Sequence, residues 1–475
     1  MFGIHIDPHQ FDLRATIIAL ISFLVLIGVI VVAHELGHFI VAKLCKVRVE
    51  AFSFGFGPRL FGFKHGETDY KVCLLPLGGY VKMTGEAAEQ NLQVGSDQPP
   101  PESDPASDPG SLLARPRWQQ MLIGVAGPAA NFVLAFVLMV FYFNWINEVP
   151  SVHPIVVEWV TDGSAAAQAD IEPGDIISHF DAFDNPTWEQ IRRSIGEGVN
   201  RTVPVTVQRG GKTFSLALRL SNERKGKKLD IDQAGLFLKL VQSPIQVASV
   251  VPNAPAAQAG LRGDDLILAV DGHAFHTLEP LVAYLQAGHG NPVTLSVLRN
   301  GQTIAPIVVH PWVQDSAWRL GFTYRPPSDV PTQDEPLPFR ESVVESRDFC
   351  ADSSMLIVGM LQQLFTHKAS VSQLIGPVGI AEAAGEAAET KDWSSKFGLA
   401  ASISLNLGVL NLLPFPILDG GMIFLLLIES AIRRDISIAV KERIYQAAFV
   451  VIVAFFAFVI FNDVSKLPIF AHLKP

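Results

Sequence analysis

The stretch ATIIALISFLVLIGVIVVAHELGH, residues 15–38, joins an uncharged apolar run to a polar pentapeptide. At ~1.5 Å per helical residue, the run from Ala15 to Val32 crosses most of a bilayer core of roughly 30 Å. A signal peptide is the alternative, but the run is long for one. Only one cation, Arg14, precedes it, and no small-residue cleavage site follows. The stretch therefore predicts a transmembrane helix that ends in the pentapeptide.

The pentapeptide HELGH, residues 34–38, has the pattern of a zinc peptidase. His34 and His38 lie four residues apart, so both imidazoles project from one helix face and can bind one tetrahedral zinc ion. In peptidases of this pattern the adjacent glutamate, here Glu35, takes a proton from the attacking water and delivers it to the leaving amine. Chance occurrence is the alternative, and the apolar run beside the motif argues against it.

Composition places the chain among polytopic membrane proteins. Of its 475 residues, 49% are hydrophobic, and the mean hydropathy is +0.30. Further apolar runs at Trp118–Phe143, Phe397–Ile428 and Ala447–Phe461 complete a prediction of four transmembrane helices. Between the second and third lie about 250 residues of mixed sequence, enough for two or three extramembrane domains.

The distribution of cations predicts the orientation. By the positive-inside rule, cations that cluster beside the spans are expected to be cytoplasmic. These cations are Lys43, Lys46, Arg48, Arg115, Arg117, Arg433, Arg434, Lys441 and Arg443. From Glu148 onward no cation occurs until Arg192, so the large insert and both termini are expected outside. The HELGH motif then lies at the cytoplasmic end of the first span.

Net charge and cysteine content argue against two further features, nucleic-acid binding and a disulfide framework. The formal net charge of −10 and the lack of a basic stripe argue against nucleic-acid binding. Cys45 and Cys73 are predicted on the cytoplasmic side and Cys350 outside, so no disulfide framework is expected.

The third apolar segment offers a third metal ligand. It contains NLLPFPILDGG, residues 411–421. A carboxylate such as Asp419 is costly among apolar residues in lipid, so a functional role is favoured. Asp419 could complete a His₂Asp set and leave the fourth position open. The alternatives are an ion pair with an arginine, or a cap on a helix broken at Gly420 and Gly421.

The same segment cannot form a regular helix. Pro414 and Pro416 each remove a backbone donor, and irregular backbone survives at membrane depth only beside a cavity or a polar partner. Asn406 and Asn411 add side-chain donors, so the segment is predicted to hold a substrate strand or an oxyanion. The alternative is that the asparagines bond to neighbouring helices.

Together, HELGH in the first span, NLLPFPILDGG in the third and the large insert between spans resemble the site-2 protease family of intramembrane zinc metalloproteases. The resemblance extends over nearly the whole chain. It implies zinc ligation by His34, His38 and Asp419, with Glu35 as general base and Asn411 binding substrate. It also implies a bacterial cytoplasmic (inner) membrane location and two periplasmic PDZ domains of α+β type.

Residues 45–86 are rich in β-branched and aromatic residues, with a turn near His65-Gly66-Glu67, and predict a hairpin. The resemblance implies a membrane-associated β-sheet beside the active site, whose edge could receive the substrate as an added strand. A substrate helix would have to unwind first, because a transmembrane helix satisfies its own backbone hydrogen bonds and hides its peptide groups from the active site. Expected substrate contacts are Gly78, Gly79, Tyr80, Asn411, Pro414 and Pro416. The alternative is a small cytoplasmic sheet without this role.

The insert repeats itself. The AAQA at residues 166–169 recurs at 256–259, and Asp175 and Arg209 recur as Asp265 and Arg299, at a constant offset of 90. Such a period indicates a duplicated domain rather than a solenoid. The pattern resembles bacterial PDZ domains at 151–222 and 236–323, a pair that in this family gates access by substrate size. The sequence leaves two alternatives for these domains: they bind peptides by edge addition, or they are scaffolds without a ligand.

The complete organisation predicted from the sequence places the membrane segments, sheet and insert in the following order: first transmembrane helix 1–44, sheet 45–86, flexible cytoplasmic loop 87–115, second helix 116–147, PDZ domains 151–222 and 236–323, linker and amphipathic helical region 330–395, third segment 397–430 and fourth helix 441–463. The expected function is zinc-dependent cleavage of single-pass membrane proteins, such as anti-sigma-factor-like substrates or remnant signal peptides. Alternatives are a catalytically silent PDZ membrane scaffold and a metal transporter, which would need a polar path across several helices.

Overall fold

The computed structural model describes residues 13–85, 108–197, 201–220, 231–314, 317–325, 327, 330–366 and 376–466. They form two compact units. One contains Glu148–Glu335, which includes the duplicated insert. The other contains the described residues up to Asn147 and from Pro336 onward, and it carries the helices with apolar runs.

The helices are numbered here in chain order. They are α1 Leu13–Leu44, α2 Arg117–Trp145, α3 Ala165–Gln168, α4 Trp188–Glu197, α5 Pro255–Gln258, α6 Leu278–Ala287, α7 Phe339–Phe365, α8 Pro377–Glu389, α9 Trp393–Asn411, α10 Asp419–Ile432 and α11 Ile438–Lys466. Within the described ranges, three helical segments are long and apolar enough to cross a membrane: Thr16–Leu44, Arg117–Trp145 and Arg443–Phe461.

The predicted third span is divided. Over the apolar run Phe397–Ile428 the structure has α9 and α10, separated by a turn at residues 412–418. Within this turn the Phe415 N–H donates to the Leu413 carbonyl and the Leu418 N–H to the Phe415 carbonyl. Pro414 and Pro416 have no N–H to donate, so the helical hydrogen-bond pattern stops here, as expected. The count of four transmembrane helices stays a prediction.

The predicted hairpin is present and folds further into a sheet of four segments, in the spatial order 61–65, 68–72, 51–54 and 79–82. Strand β1, Val49–His65, pairs with β2, Thr68–Met83, around a turn at Gly66-Glu67. Residues 51–54 pair on one side with 69–72 and on the other with 79–82, while 61–65 pair with 68–72. The chain reverses at Gly78, where φ is +143° and a Cβ would lie 2.4 Å from the Phe56 ring. Segment 79–83 is thereby left at an outer edge of the sheet.

The insert contains two sheets of the same design. The first comprises β4 Ile155–Val160, β5 Ile176–Phe180, β6 Phe183–Asp184, β7 Arg201–Arg209, β8 Lys212–Leu220 and β9 Leu236–Leu238, in the order β8-β7-β5-β4-β9 with β6 on β5. The second comprises β10 Ile245–Val250, β11 Leu266–Val270, β12 Val293–Arg299, β13 Gln302–Thr303, β14 Ile307–Val309 and β17 Phe322–Arg325, in the order β13-β12-β11-β10-β17 with β14 on β12. We call these the first and second repeats.

The duplication extends to individual contacts. Arg209 donates to both carboxylate oxygens of Asp175 at 2.6 and 2.7 Å, and Arg299 binds Asp265 in the same way at 2.7 and 2.7 Å. The predicted boundary between the repeats is wrong in one respect. Strand β9, Leu236–Leu238, pairs with β4 and covers an edge of that strand. The segment therefore belongs to the first repeat and not to the second.

The remaining short strands are β3 Glu148–Pro150, β15 Trp312–Gln314, β16 Ala317–Arg319 and β18 Thr332–Asp334. Strand β18 pairs with β3, so the two ends of the insert lie side by side. Within the predicted linker and amphipathic helical region, residues 330–395, the structure has the helices α7 and α8. Most of the predicted flexible loop, residues 86–107, lies outside the described residues. Cys45, Cys73 and Cys350 are free.

Candidate active site

The structure brings together three side chains that are far apart in sequence. His34 Nε2 lies 3.2 Å from His38 Nε2, and Asp419 Oδ2 lies 3.1 and 3.4 Å from these two nitrogens. The histidine side chains are about one-tenth exposed or less. Two imidazole nitrogens and one carboxylate oxygen converge on one point in a mostly buried setting.

These distances fit a zinc ion. Ligand atoms placed tetrahedrally at about 2.0–2.1 Å from zinc lie roughly 3.3–3.4 Å from one another, close to the three observed separations. Asp419 Oδ2 is buried and has no hydrogen-bond partner among the described residues, a cost that a cation would remove. The donor set is that of catalytic zinc sites with three protein ligands and an open position.

Helix α2 holds the opposite side of both imidazoles. The His38 Nδ1–H donates to the Ile123 carbonyl at 2.8 Å, and Asn131 Nδ2 lies 3.1 Å from His34 Nδ1. Between these residues lies Gly127, where a Cβ would stand 2.2 Å from His38 Nε2 and 2.7 Å from His34 Nε2. Only a residue without a side chain leaves room for the two nitrogens.

Backbone close approach places Asp419. It is the first residue of α10, immediately after the proline-containing turn. At Gly420 a Cβ would lie 2.3 Å from the Leu412 carbonyl oxygen, and at Gly421 one would lie 2.1 Å from that of Phe415. The two glycines therefore let α10 start directly against the turn, which brings the carboxylate to the histidines on α1. Among the described residues Asp419 lies beside the two histidines, and the alternative of an ion pair with an arginine is not what they show.

Glu35 lies beside the sheet. Glu35 and Val81 line one cavity, and a Cβ at Gly79 would lie 3.3 Å from Glu35 Cγ. Gly79 and Val81 belong to segment 79–83, which lies at an outer edge of the described sheet. The acid/base candidate and this strand edge are thus neighbours.

A cavity of about 270 Å³ joins these elements. Its lining includes the predicted site residues His34, Glu35, His38, Gly79, Tyr80, Asn411 and Asp419. Asn411 Nδ2 lies 3.5 Å from His34 Nε2. The predicted contacts Gly78, Pro414 and Pro416 lie outside this lining; Gly78 belongs to the sheet, and the two prolines belong to the turn between α9 and α10.

Sequence reasoning missed the contribution of α2. Ile123 acts through a backbone carbonyl, which leaves no trace in the sequence. Asn131 could have been found, because a polar residue within an apolar span is costly and calls for a role. Gly127 precedes Pro128 inside the helix, and that pair was also a signal of close packing at this depth.

Comparison with known proteins defines the class. The sequence model of peptidase family M50 matches residues 22–455. The chain is a membrane-embedded zinc metalloprotease. It belongs to peptidase family M50, the site-2 protease family.

Several relatives match almost end to end. The regulator of sigma-E protease RseP of Escherichia coli is 32% identical over 460 residues, covering 94% of this chain and 98% of that protein. A putative zinc metalloprotease of Vibrio cholerae is 31% identical over 462 residues, with the same coverage. Among solved structures, the PDZ domain of an SdrC-like protein from Listeria monocytogenes is 24% identical, covers 18% of this chain and 92% of that chain, and has a TM-score of 0.17.

Proposed function

We propose that the chain hydrolyses peptide bonds within or near the transmembrane segment of single-pass membrane proteins, with His34, His38 and Asp419 as zinc ligands and Glu35 as general base. One observation carries the proposal. Three ligand atoms from α1 and α10 lie 3.1–3.4 Å apart, with the Glu35 carboxylate next to them. Ionisable side chains among apolar helices are costly, so a functional site is the default explanation for such a cluster.

The chemistry divides between the metal and Glu35. When bound, zinc would make a water molecule acidic enough to attack near neutral pH and would polarise the scissile carbonyl. Glu35 takes the proton from the attacking water and gives it to the leaving amine. Gly79 leaves room for the Glu35 side chain beside the strand edge, where the carboxylate can accept and release the proton.

The edge segment 79–83 is the proposed docking strand for the substrate. A helix that enters the site must unwind, and strand pairing with this edge replaces its lost hydrogen bonds. Asn411 faces the same cavity from the end of α9 and supplies an N–H for the substrate carbonyl. Substrates are therefore expected to carry Gly, Pro or polar residues near the cut.

The two repeats are proposed to be PDZ domains that restrict access by substrate size. Their equal strand order and matching Arg–Asp pairs support a duplicated module. The strands β9 and β17 each leave one edge free in the described sheets, which is where a peptide could add. We place the repeats and both termini on the periplasmic side of the inner membrane, with the zinc site toward the cytoplasm.

Replacement of Glu35 by Gln tests the mechanism. The amide keeps the size of the side chain but cannot accept the proton, so cleavage of a single-pass membrane substrate should fall by 10²-fold or more. Bound zinc, measured by elemental analysis of the purified chain, should stay near one equivalent.

The matched control is Glu67→Gln. Glu67 lies at the hairpin turn and forms an exposed pair with Lys43, so its neutralisation should leave cleavage unchanged. If the Glu35 variant cleaved at the normal rate, the assigned mechanism would be wrong and the silent scaffold would gain ground.

A further inference from the structure

The outer nitrogens of both histidines are held by α2. His38 donates from Nδ1 to the Ile123 carbonyl, which leaves the Nε2 lone pair free to bind a metal. For His34 the corresponding partner is a side chain and not a backbone carbonyl: Asn131 Nδ2 lies 3.1 Å from His34 Nδ1. The two histidines therefore differ in what fixes them: one is held by backbone, and the other depends on residue identity.

Asn131 is itself built into the helix packing. Its side chain is fully buried, and the Ser404 hydroxyl of α9 donates to its backbone carbonyl at 2.9 Å. Its Oδ1 is buried without a hydrogen-bond partner among the described residues. An amide with one satisfied and one unsatisfied end can rotate by half a turn and present the oxygen instead.

We propose that Asn131 is a positioning residue for His34, accepting a hydrogen bond from the His34 Nδ1–H and so directing Nε2 to the metal. The inference rests on the proposed zinc site. A histidine that binds a metal through Nε2 carries its proton on Nδ1 and needs an acceptor there. For His34, the Oδ1 of Asn131 is that acceptor, just as the Ile123 carbonyl is for His38.

Replacement of Asn131 by Leu and by Asp separates this role from simple packing. Leucine has a similar volume and no polar atom, so the affinity of the full-length purified chain for zinc should fall 10- to 100-fold. Aspartate keeps an acceptor oxygen at nearly the same place and should bind zinc within a few-fold of the unmodified chain. Zinc affinity is measured by competition with a chromophoric chelator, and cleavage is measured at saturating zinc.

The matched control is Asn144→Leu. Asn144 is on the same helix and donates to the Leu337 carbonyl at 3.0 Å, away from the metal site, so zinc affinity should not change. A merely structural role of Asn131, in which its N–H group is what matters, predicts that Asp is as damaging as Leu.

The outcomes distinguish the inference from the function on which it rests. An aspartate variant that loses zinc affinity as much as a leucine variant would overturn the positioning role, as would a leucine variant of normal affinity. The aspartate result stands even if the leucine chain does not fold. If His34→Ala left the zinc affinity of the chain unchanged, the zinc site itself would be wrong, whatever Asn131 does.

Discussion

Replacement of Gly127 by Ala should disable the proposed metal site with a single methyl group. The added Cβ would lie 2.2 Å from His38 Nε2 and 2.7 Å from His34 Nε2. Because nonbonded heavy atoms are comfortable at about 3.5–4.0 Å, His38 must retreat by more than ~1 Å. Zinc–ligand distances tolerate deviations of only about 0.2 Å.

The expected effect is a loss of zinc affinity of at least ~100-fold, which corresponds to about 2.7 kcal/mol. Cleavage of a single-pass substrate should fall with it and should recover only partly when zinc is added in excess, because the displaced imidazoles hold the ion in the wrong geometry. The affinity is measured by chelator competition on the full-length chain in detergent or nanodiscs.

Gly398→Ala is the control. It makes the same change in helix α9, where a Cβ meets nothing within 4 Å, so zinc affinity should be unaffected and the helix slightly stabilised. Normal zinc affinity and cleavage in the Gly127 variant would refute the reasoning, because the two Nε2 atoms could not then lie where the structure has them.

Two further predictions concern the insert. Replacement of Arg299 by Met removes the ion-pair partner of the buried Asp265 carboxylate and should destabilise the second repeat by about 3 kcal/mol. The control, Arg219→Met, changes an exposed arginine and should leave the stability nearly unchanged. Thermal unfolding of the full chain measures both variants. Burial opposes ionisation of Asp265, yet the hydrogen bonds from Arg299 and the Arg262 N–H hold its pKa below the usual value. Its contribution to stability is therefore present above the unfolded-state pKa and is lost as the pH falls through the lower folded-state pKa, an acid dependence that should shrink in the Met variant. Trp159→Ala removes ring contacts between the two repeats, with Phe275 at 5.7 Å and Tyr284 at 5.2 Å, and should lower the Tm of the insert by roughly 3–8 °C. The control is Trp312→Ala, which removes an exposed tryptophan of β15 and should not change the Tm. Equal shifts in the two variants would argue against a contact between the repeats.

Most of the site could be predicted because its chemistry is expensive in its surroundings. The HExxH spacing marks His34, Glu35 and His38 as site candidates, and a carboxylate in an apolar run marks Asp419 as another. The glycine pair after Asp419 and the two prolines before it also predicted a broken helix. The repeat was visible because duplicated cores keep the same residues at the same spacing.

Other features depended on where the chain goes in space. Strand β9 pairs with β4 across a long separation in sequence, and three apolar residues carry no mark of which sheet they join. The division of the third span into α9 and α10 has boundaries that only the backbone hydrogen bonds fix. The second pairing of residues 51–54, which leaves 79–83 at the edge, is likewise a matter of register.

The sequence by itself determined the class of chemistry, the membrane setting and the identity of the three ligand candidates, because each follows from residue type and local spacing. Only the tertiary structure decided how the ligands meet. The approach of α2 supplies the Ile123 carbonyl, the Asn131 amide and the space at Gly127. Packing between helices that are distant in sequence creates those contacts, and no local pattern encodes them.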